Sequence, residues 1–439
     1  MEYSADVEKF LAAHRVKIGD LVRIENGQTF EGTIMPNTGD PGIVVLKLSS
    51  GYNIGLRLED AKIIKLEKEP REKAAKKLEH VHDPGKKTIM ILHTGGTIAS
   101  RIDYETGAVR PAVTPEELLS SVPQLAQIAN IRSEKIFQMF SEDMEPDHWM
   151  HLAKTIASQT GRCDGFIITH GTDTMHYTSA ALSFMLKGID KPVILVGAQR
   201  STDRGSSDAS MNLICAANFI ANSDFTGVGV CMHASMNDDF CYIHNGLHVR
   251  KMHTARRDAF KSVDVAPIAK VTTSGSVEII NYAKRGDEFK PVFCWERKVA
   301  IVKIHPGFNH KMLEFYEKAG YKGIVLEGTG LGNAPVDVSD DYTKHHDEIL
   351  ETFRRLSRTM IIAMTSQCIF GKVNLNVYAT GRKLLDAGVL PAAMTPETAY
   401  VKLGWVLGHA KSLEEAKHLF MQDVAGEMVE RIDPRAYLE

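Results

Sequence analysis

Short, unbroken apolar runs recur along this chain from residue 88 onward, and they restrict its fold more than any other feature. Ile89-Met90-Ile91-Leu92, Gly165-Phe166-Ile167-Ile168-Thr169 and Pro192-Val193-Ile194-Leu195-Val196-Gly197-Ala198 are the first three. Runs of this length without polar alternation read as strands buried on both faces, the condition of a parallel sheet covered by helices. Helical patterns separate them. Behind Pro146, a residue suited to a helix start, Trp149, Leu152, Ala153, Ile156 and Ala157 share one face. Residues 175–187 form a mostly apolar helix that Gly188 is placed to end, and 209–221 form another before a strand at 227–232. Strand and helix alternate as βαβ units do. After a mixed stretch, strands at 299–302, 323–326 and 360–364 resume the rhythm, with helices near 312–319 and 346–356. Helical patterns at 381–385 and from Pro396 toward Met428 follow.

The N-terminal stretch reads differently. A short helix within 3–16 would carry Val7, Phe10, Leu11 and His14 on one side. Residues 19–24, 29–34, 43–48 and 52–56 then form short alternating segments broken by Gly, Asn and Pro, the pattern of a small SH3-like or Tudor-like β-barrel. A Lys/Glu-rich stretch with Pro70 and Pro84 reads as a solvated linker, partly helical around 71–80. The expected organisation is therefore α/β: a β-barrel domain (1–65), a linker (66–87), a large α/β lobe (88–290) and a smaller one (291–439). The length, 439 residues, fits about three domains at ~150 residues each.

Composition excludes several functions. With 52 Lys plus Arg against 55 Asp plus Glu, the formal charge of −3 cannot grip nucleic acid by bulk charge. The six cysteines have no metal-ligand spacing and suit buried thiols in a reducing compartment. The N-terminus shows no basic region followed by an apolar core, and no apolar run reaches spanning length, so a soluble, cytoplasmic protein is expected. There is no Gly-Lys-Ser/Thr phosphate loop and no G-x-S-x-G elbow. Gly328-Thr329-Gly330-Leu331-Gly332 lacks dinucleotide spacing, and neither His80 with His82 nor His345-His346 makes a convincing metal site. No bound metal or cofactor is expected.

Chemistry concentrates where two apolar runs end. The first meets Thr94-Gly95-Gly96-Thr97-Ile98-Ala99, the second Thr169-His170-Gly171-Thr172-Asp173-Thr174. A threonine or Thr-Asp pair after one strand is most simply a helix cap. Two such stretches, each following a buried strand, place Thr97 and Thr172-Asp173 on the edge where open α/β sheets bind ligands. A hydroxyl nucleophile needs a base. His93 and His170 flank the motifs, and Lys251 is a further candidate if its surroundings lower its proton affinity. By charge alone Lys251 is a solvated member of a basic run.

These motifs resemble the two signatures of the bacterial-type L-asparaginase family, over about residue 87 to the C-terminus. The resemblance implies Thr97 as the acyl-accepting nucleophile, with Thr172, Asp173 and Lys251 relaying protons; Lys251 follows Met236-Asn237-Asp238 and precedes Phe260 by nine residues. It further implies that Ser141, in Ser141-Glu142-Asp143-Met144, binds the substrate α-carboxylate. Main-chain N–H groups at the Gly96 turn would hold the oxyanion, and Asn333 would reach a neighbour's site in a homodimer. Many members carry a tyrosine in a lid after the first motif; here Tyr104 stands closer to Thr97. The barrel, the linker and the stretches 364–368 and 374–382 resemble one branch, the D subunits of archaeal-type glutamyl-tRNA(Gln) amidotransferases. That resemblance implies ammonia release from glutamine or asparagine, passed to an E subunit that uses ATP and Mg to amidate Glu-tRNA(Gln) in a heterotetramer. The alternatives are a stand-alone cytosolic L-asparaginase and an inactive asparaginase-like scaffold.

Overall fold

The computed structural model describes residues 3–37, 40–48, 52–59, 61–66, 82–102, 109–111, 115–202, 204–429 and 431–437. The linker helix expected around 71–80 and Tyr104 lie outside them. The chain opens with α1 (Ala5–Ala13), capped by the Ser4 hydroxyl, which accepts the Val7 N–H. Strands β1 (Leu21–Asn26), β2 (Gln28–Ile34), β3 (Val44–Leu48), β4 (Asn53–Leu56) and β5 (Lys62–Lys65) follow. They form an antiparallel sheet in the order β4-β3-β2-β1-β5. Its inner face, with Val22, Ile24, Ile34, Val44 and Leu46 fully buried, packs on Val7 and Leu11 of α1. His14, expected on that face, is exposed.

The large lobe begins with β6 (Thr88–Gly95) and a short hairpin, β7 (Ser100–Ile102) and β8 (Val109–Pro111). Then come α2 (Pro115–Ser121), α3 (Leu125–Ile128), β9 (Asn130–Met139), α4 (Pro146–Gln159), β10 (Gly165–Thr169), α5 (Met175–Met185), β11 (Pro192–Val196), α6 (Ala209–Asn222) and β12 (Gly227–His233). Strands β13 (Cys241–Asn245), β14 (Val249–Lys251), β15 (Phe260–Ser262), β16 (Ala269–Val271) and β17 (Val277–Ile279) complete it. Eight of these strands form one sheet, ordered β17-β16-β13-β12-β11-β10-β6-β9. The pairs from β9 to β12 are parallel and those from β12 to β17 antiparallel, so the sheet is mixed where the sequence suggested βαβ units throughout. Strand β9 has no apolar run. It is an edge strand that mixes half-buried and exposed residues, Arg132, Glu134 and Lys135 among the exposed ones.

The small lobe holds β18 (Val299–Lys303), α7 (His310–Lys318), β19 (Gly323–Gly328), α8 (His346–Leu356), β20 (Ile361–Ser366), α9 (Ala379–Asp386) and β21 (Leu390–Pro391). Its four strands pair in parallel, in chain order. The helical pattern from Pro396 divides into α10 (Pro396–His409) and α11 (Leu413–Met421), the second capped by Ser412, and residues 424–428 are not helical. Helix α10 is buried along nearly its whole length, against α5 of the large lobe and against β18 and β19. One apolar core thus runs from Phe184 and Met185 through Leu403 and Val406 to Val325 and Ile361, crossing the expected division at 290. The six cysteines are free, four of them buried.

Candidate active site

Strands β9, β6, β10 and β11 are neighbours, so the loops leaving their carboxyl ends emerge side by side. Three glycines then let the loops touch. Gly96 has φ +74°, and a Cβ there would lie 2.3 Å from Gly171 N and 2.4 Å from Gly171 Cα. A Cβ on Gly171 would lie 2.7 Å from Ser141 Oγ, and one on Gly197 2.7 Å from Thr172 Cγ2. The Gly96 N–H donates to Met139 O at 2.9 Å, tying the first motif to the end of β9. Sheet order and close backbone approach therefore gather Thr97, Ser141 and Thr172-Asp173, which lie far apart in sequence.

Lys251 reaches this edge from β14, which is held by antiparallel pairing with β15, Lys251 opposite Phe260. Its ammonium donates to Thr172 Oγ1 at 2.8 Å and to Asp173 Oδ1 at 2.7 Å. With 11% of its side chain exposed, Lys251 is not the solvated residue its basic surroundings suggest. The Asp173 N–H donates to Ser141 Oγ at 3.2 Å, and the Thr174 hydroxyl donates to Ser141 O at 2.6 Å. Thr97, half-buried, lines a cavity of 540 Å³ with Phe140, Gln199, Arg200, Ser201 and Ala255.

Neither histidine beside the motifs is placed as a base. His170 is wholly buried, and its partners fix its tautomer: Nδ1–H donates to Gly171 O at 2.6 Å, and the Thr178 hydroxyl donates to Nε2 at 2.9 Å. Thr178 in turn accepts from Trp149 Nε1–H. Burial pulls the His170 pKa down to about 4 and that of His93, bonded through Nδ1 to Thr169, also to about 4. Both act as neutral packing groups beneath the loops.

The structure adds supports that the sequence did not reveal. Arg250 pairs with the buried Glu397 of α10 at 2.9 Å, and His176 Nε2 lies 4.0 Å from the same oxygen. Burial raises the Glu397 carboxyl, with Arg250 opposing, and lowers His176 to about 3. The strand carrying Lys251 is thus anchored across the lobe boundary. Asp208, fully buried, accepts the N–H groups of Gln199 and Arg200 at 3.0 Å and closes the segment after β11 into a compact loop. A lone Asp or Glu in an otherwise ordinary helix start gave no signal of either role.

Two further expected site residues, Gly96 and Asn333, have hydrogen-bond partners outside the Thr172–Lys251 group. The Gly96 N–H donates to Met139 O, and the residue lies in close backbone contact with Gly171. Asn333 bonds Thr329 and Thr380 within the small lobe and joins none of the residues around Thr97 in the single chain. Among the described residues no His, Cys, Asp and Glu cluster could hold a metal ion.

The family model described as asparaginase, N-terminal, matches residues 88–285, and the glutaminase/asparaginase C-terminal domain matches 298–420. The model for the GatD N-terminal domain matches 16–66. The D subunit of the glutamyl-tRNA(Gln) amidotransferase of Pyrococcus abyssi is 48% identical over 438 residues, covering 96% of this chain and 97% of that one. The chain belongs to the family of glutamyl-tRNA(Gln) amidotransferase D subunits. The member from Methanothermobacter thermautotrophicus is 45% identical over 441 residues, with 98% of each chain covered. Among solved structures, the thermostable L-asparaginase from Thermococcus kodakarensis superimposes with a TM-score of 0.68 at 33% identity, over 78% of this chain and 99% of that one. L-asparaginase I from Vibrio cholerae gives 0.67 at 30% identity, over 78% and 99%. The family therefore carries an asparaginase-like α/β body behind an N-terminal domain of its own.

Proposed function

We propose that this chain is the amide-hydrolysing component of a glutamyl-tRNA(Gln) amidotransferase, releasing ammonia from glutamine, or from asparagine, for the conversion of Glu-tRNA(Gln) to Gln-tRNA(Gln). One observation carries the reading: a lysine ammonium joins a threonine hydroxyl and a carboxylate at the sheet edge beside Thr97, in a chain 48% identical to the Pyrococcus abyssi D subunit.

In this reading Lys251 enters the reaction as the neutral amine: Thr97 Oγ adds to the side-chain amide carbon as its proton passes by way of the Thr172 hydroxyl to the Lys251 nitrogen. A proton from that pair reaches the amide nitrogen as the C–N bond breaks, and ammonia leaves. Water then adds to the acyl ester, restoring Thr97 and giving the free acid. Proton transfers by positioned groups of this kind typically contribute ~10²–10⁴-fold in rate. Asp173, 65% exposed, has one oxygen on Lys251 and the other free for a substrate α-ammonium. Ser141 Oγ accepts the Asp173 N–H, which leaves its own hydrogen for the α-carboxylate. The oxyanion falls to a main-chain N–H of the Gly96 turn, and one such donor is typically worth ~3 kcal/mol.

The ammonia passes to a separate E subunit that binds ATP and Mg; the chain itself acts without a cofactor, in the cytoplasm, as a homodimer within a heterotetramer, with Asn333 serving the neighbouring copy. The deciding assay is ammonia release from glutamine and from asparagine, with and without the E subunit and charged tRNA. Stimulation by both, abolished in Thr97→Ala, is expected. Full-rate asparagine hydrolysis indifferent to both would make the chain a free-standing asparaginase. Equal background rates in wild type and Thr97→Ala would make it an inactive scaffold.

A further inference from the structure

The cavity that Thr97 lines is not built by the asparaginase-like body alone. Tyr52 and Asn53, where the N-terminal sheet enters β4, line it too, together with Arg200 and Arg204. The contact between the two domains is specific. The Tyr52 hydroxyl is hydrogen-bonded to Ser206 Oγ. Its ring lies so close over Gly205 that a Cβ there would sit 2.4 Å from Tyr52 Cε2 and 2.6 Å from Cδ2. Ser206 itself has φ +57°, a left-handed conformation that costs a serine free energy and is held only where the surroundings dictate it. The lip on which the ring rests is firm, because Asp208 binds the N–H groups of Gln199 and Arg200, and the Ser207 hydroxyl donates to Arg200 O. Tyr52 nevertheless keeps 51% of its surface exposed. A half-exposed aromatic ring is thus fixed at both its hydroxyl and its face, at the rim of the cavity that Thr97 lines.

We propose that Tyr52 is a specificity-determining residue of the amide-hydrolysis site, its ring forming the outer wall of the Thr97 cavity and limiting the size of the amide admitted. The inference rests on the proposed amide hydrolysis at Thr97 and gives the N-terminal domain a part in it. A contact that merely docked two domains would change stability when broken and leave the choice of substrate alone.

The test compares kcat/KM for glutamine with that for γ-glutamyl-p-nitroanilide, a donor with a bulky group on the amide nitrogen. It uses the full chain under conditions where the wild type releases ammonia. Tyr52→Ala is expected to raise the anilide-to-glutamine ratio by ~10-fold or more, mainly through a lower KM for the anilide. Tyr52→Phe keeps the ring and should stay nearer the wild type than Tyr52→Ala. Gly205→Ala, which cannot coexist with the ring in its present place, should move the ratio in the same direction, and the double variant should exceed Tyr52→Ala by little. An active wild type whose ratio stays within about twofold in both Tyr52→Ala and Gly205→Ala overturns this inference and leaves the amide-hydrolysis reading standing. A folded wild type that releases ammonia from neither glutamine nor asparagine overturns both.

Discussion

Replacing Gly96 by alanine tests whether backbone proximity assembles the site. The new Cβ would lie 2.3 Å from Gly171 N, 2.4 Å from Gly171 Cα and 2.7 Å from His170 C. Ordinary contact begins near 3.4 Å, so the two motif loops must separate by about 1 Å, and no flexible side chain can absorb the overlap. Overpacking of this kind costs ~1–3 kcal/mol, and the left-handed backbone at φ +74° adds ~1–2 kcal/mol. A loss of ~2–5 kcal/mol in stability is expected. The displacement lands on the groups proposed to react, and a misplacement of ~1 Å can cost ~10²-fold in rate. Gly27→Ala is the control: its φ is +67°, but nothing lies within 4 Å of the added atom. It should lose ~1–2 kcal/mol from strain alone and keep full activity. Denaturant unfolding and ammonia release, measured on both variants, separate the two effects. If Gly96→Ala keeps kcat/KM within about threefold of the wild type, or Gly27→Ala loses as much activity, close backbone contact is not what builds this site.

Lys251→Met should lower kcat by ~10²–10⁴-fold with an unchanged melting temperature, since Asp173 stays solvated when its partner is gone; a collapse in melting temperature would make the lysine structural instead. Lys402 and Glu427 form an ion pair with both side chains fully buried, so Glu427→Ala should cost ~3–5 kcal/mol by leaving an unpaired ammonium. Lys402→Met combined with Glu427→Leu should recover at least half of that loss, and a double variant as unstable as the single would contradict the account. Burial holds His93 and His170 down to about 4 and His176 and His244 down to about 3, against an ordinary 6.5. Below pH 6.5 the unfolded chain binds protons that the folded chain refuses, so stability is full above that pH and falls as the pH drops toward 4, by up to ~1.4 kcal/mol per pH unit for each histidine. A urea midpoint no lower at pH 5 than at pH 7.5 would refute this.

The parallel strands most legible in the sequence were those whose burial is uniform. Strands β6, β10 and β11 carry unbroken apolar runs because both faces are covered, and each was readable from four or five consecutive residues. Strand β9 was not, since as an edge strand it mixes charged and apolar positions, although it delivers Ser141 to the site. The antiparallel extension β13-β16-β17 carries no readable period because its strands are only three to five residues long. Lys251 illustrates the limit at the level of one residue. Its neighbours along the chain, Arg250 and His253, suggest a solvated basic run, whereas its neighbours in space are Thr172 and Asp173.

The amino-acid order by itself determined which local segments become strands and helices, and placed a threonine just beyond each of two buried strands, because hydrophobic period and glycine position are local properties. Which of those segments lie side by side was decided only by the tertiary fold. The sheet order sets Gly96 against Gly171, β14 brings the Lys251 amine to Thr172, and domain docking sets the Tyr52 ring over Gly205. Each of these is a contact across dozens of residues, formed by packing free energy that no local window of the chain contains.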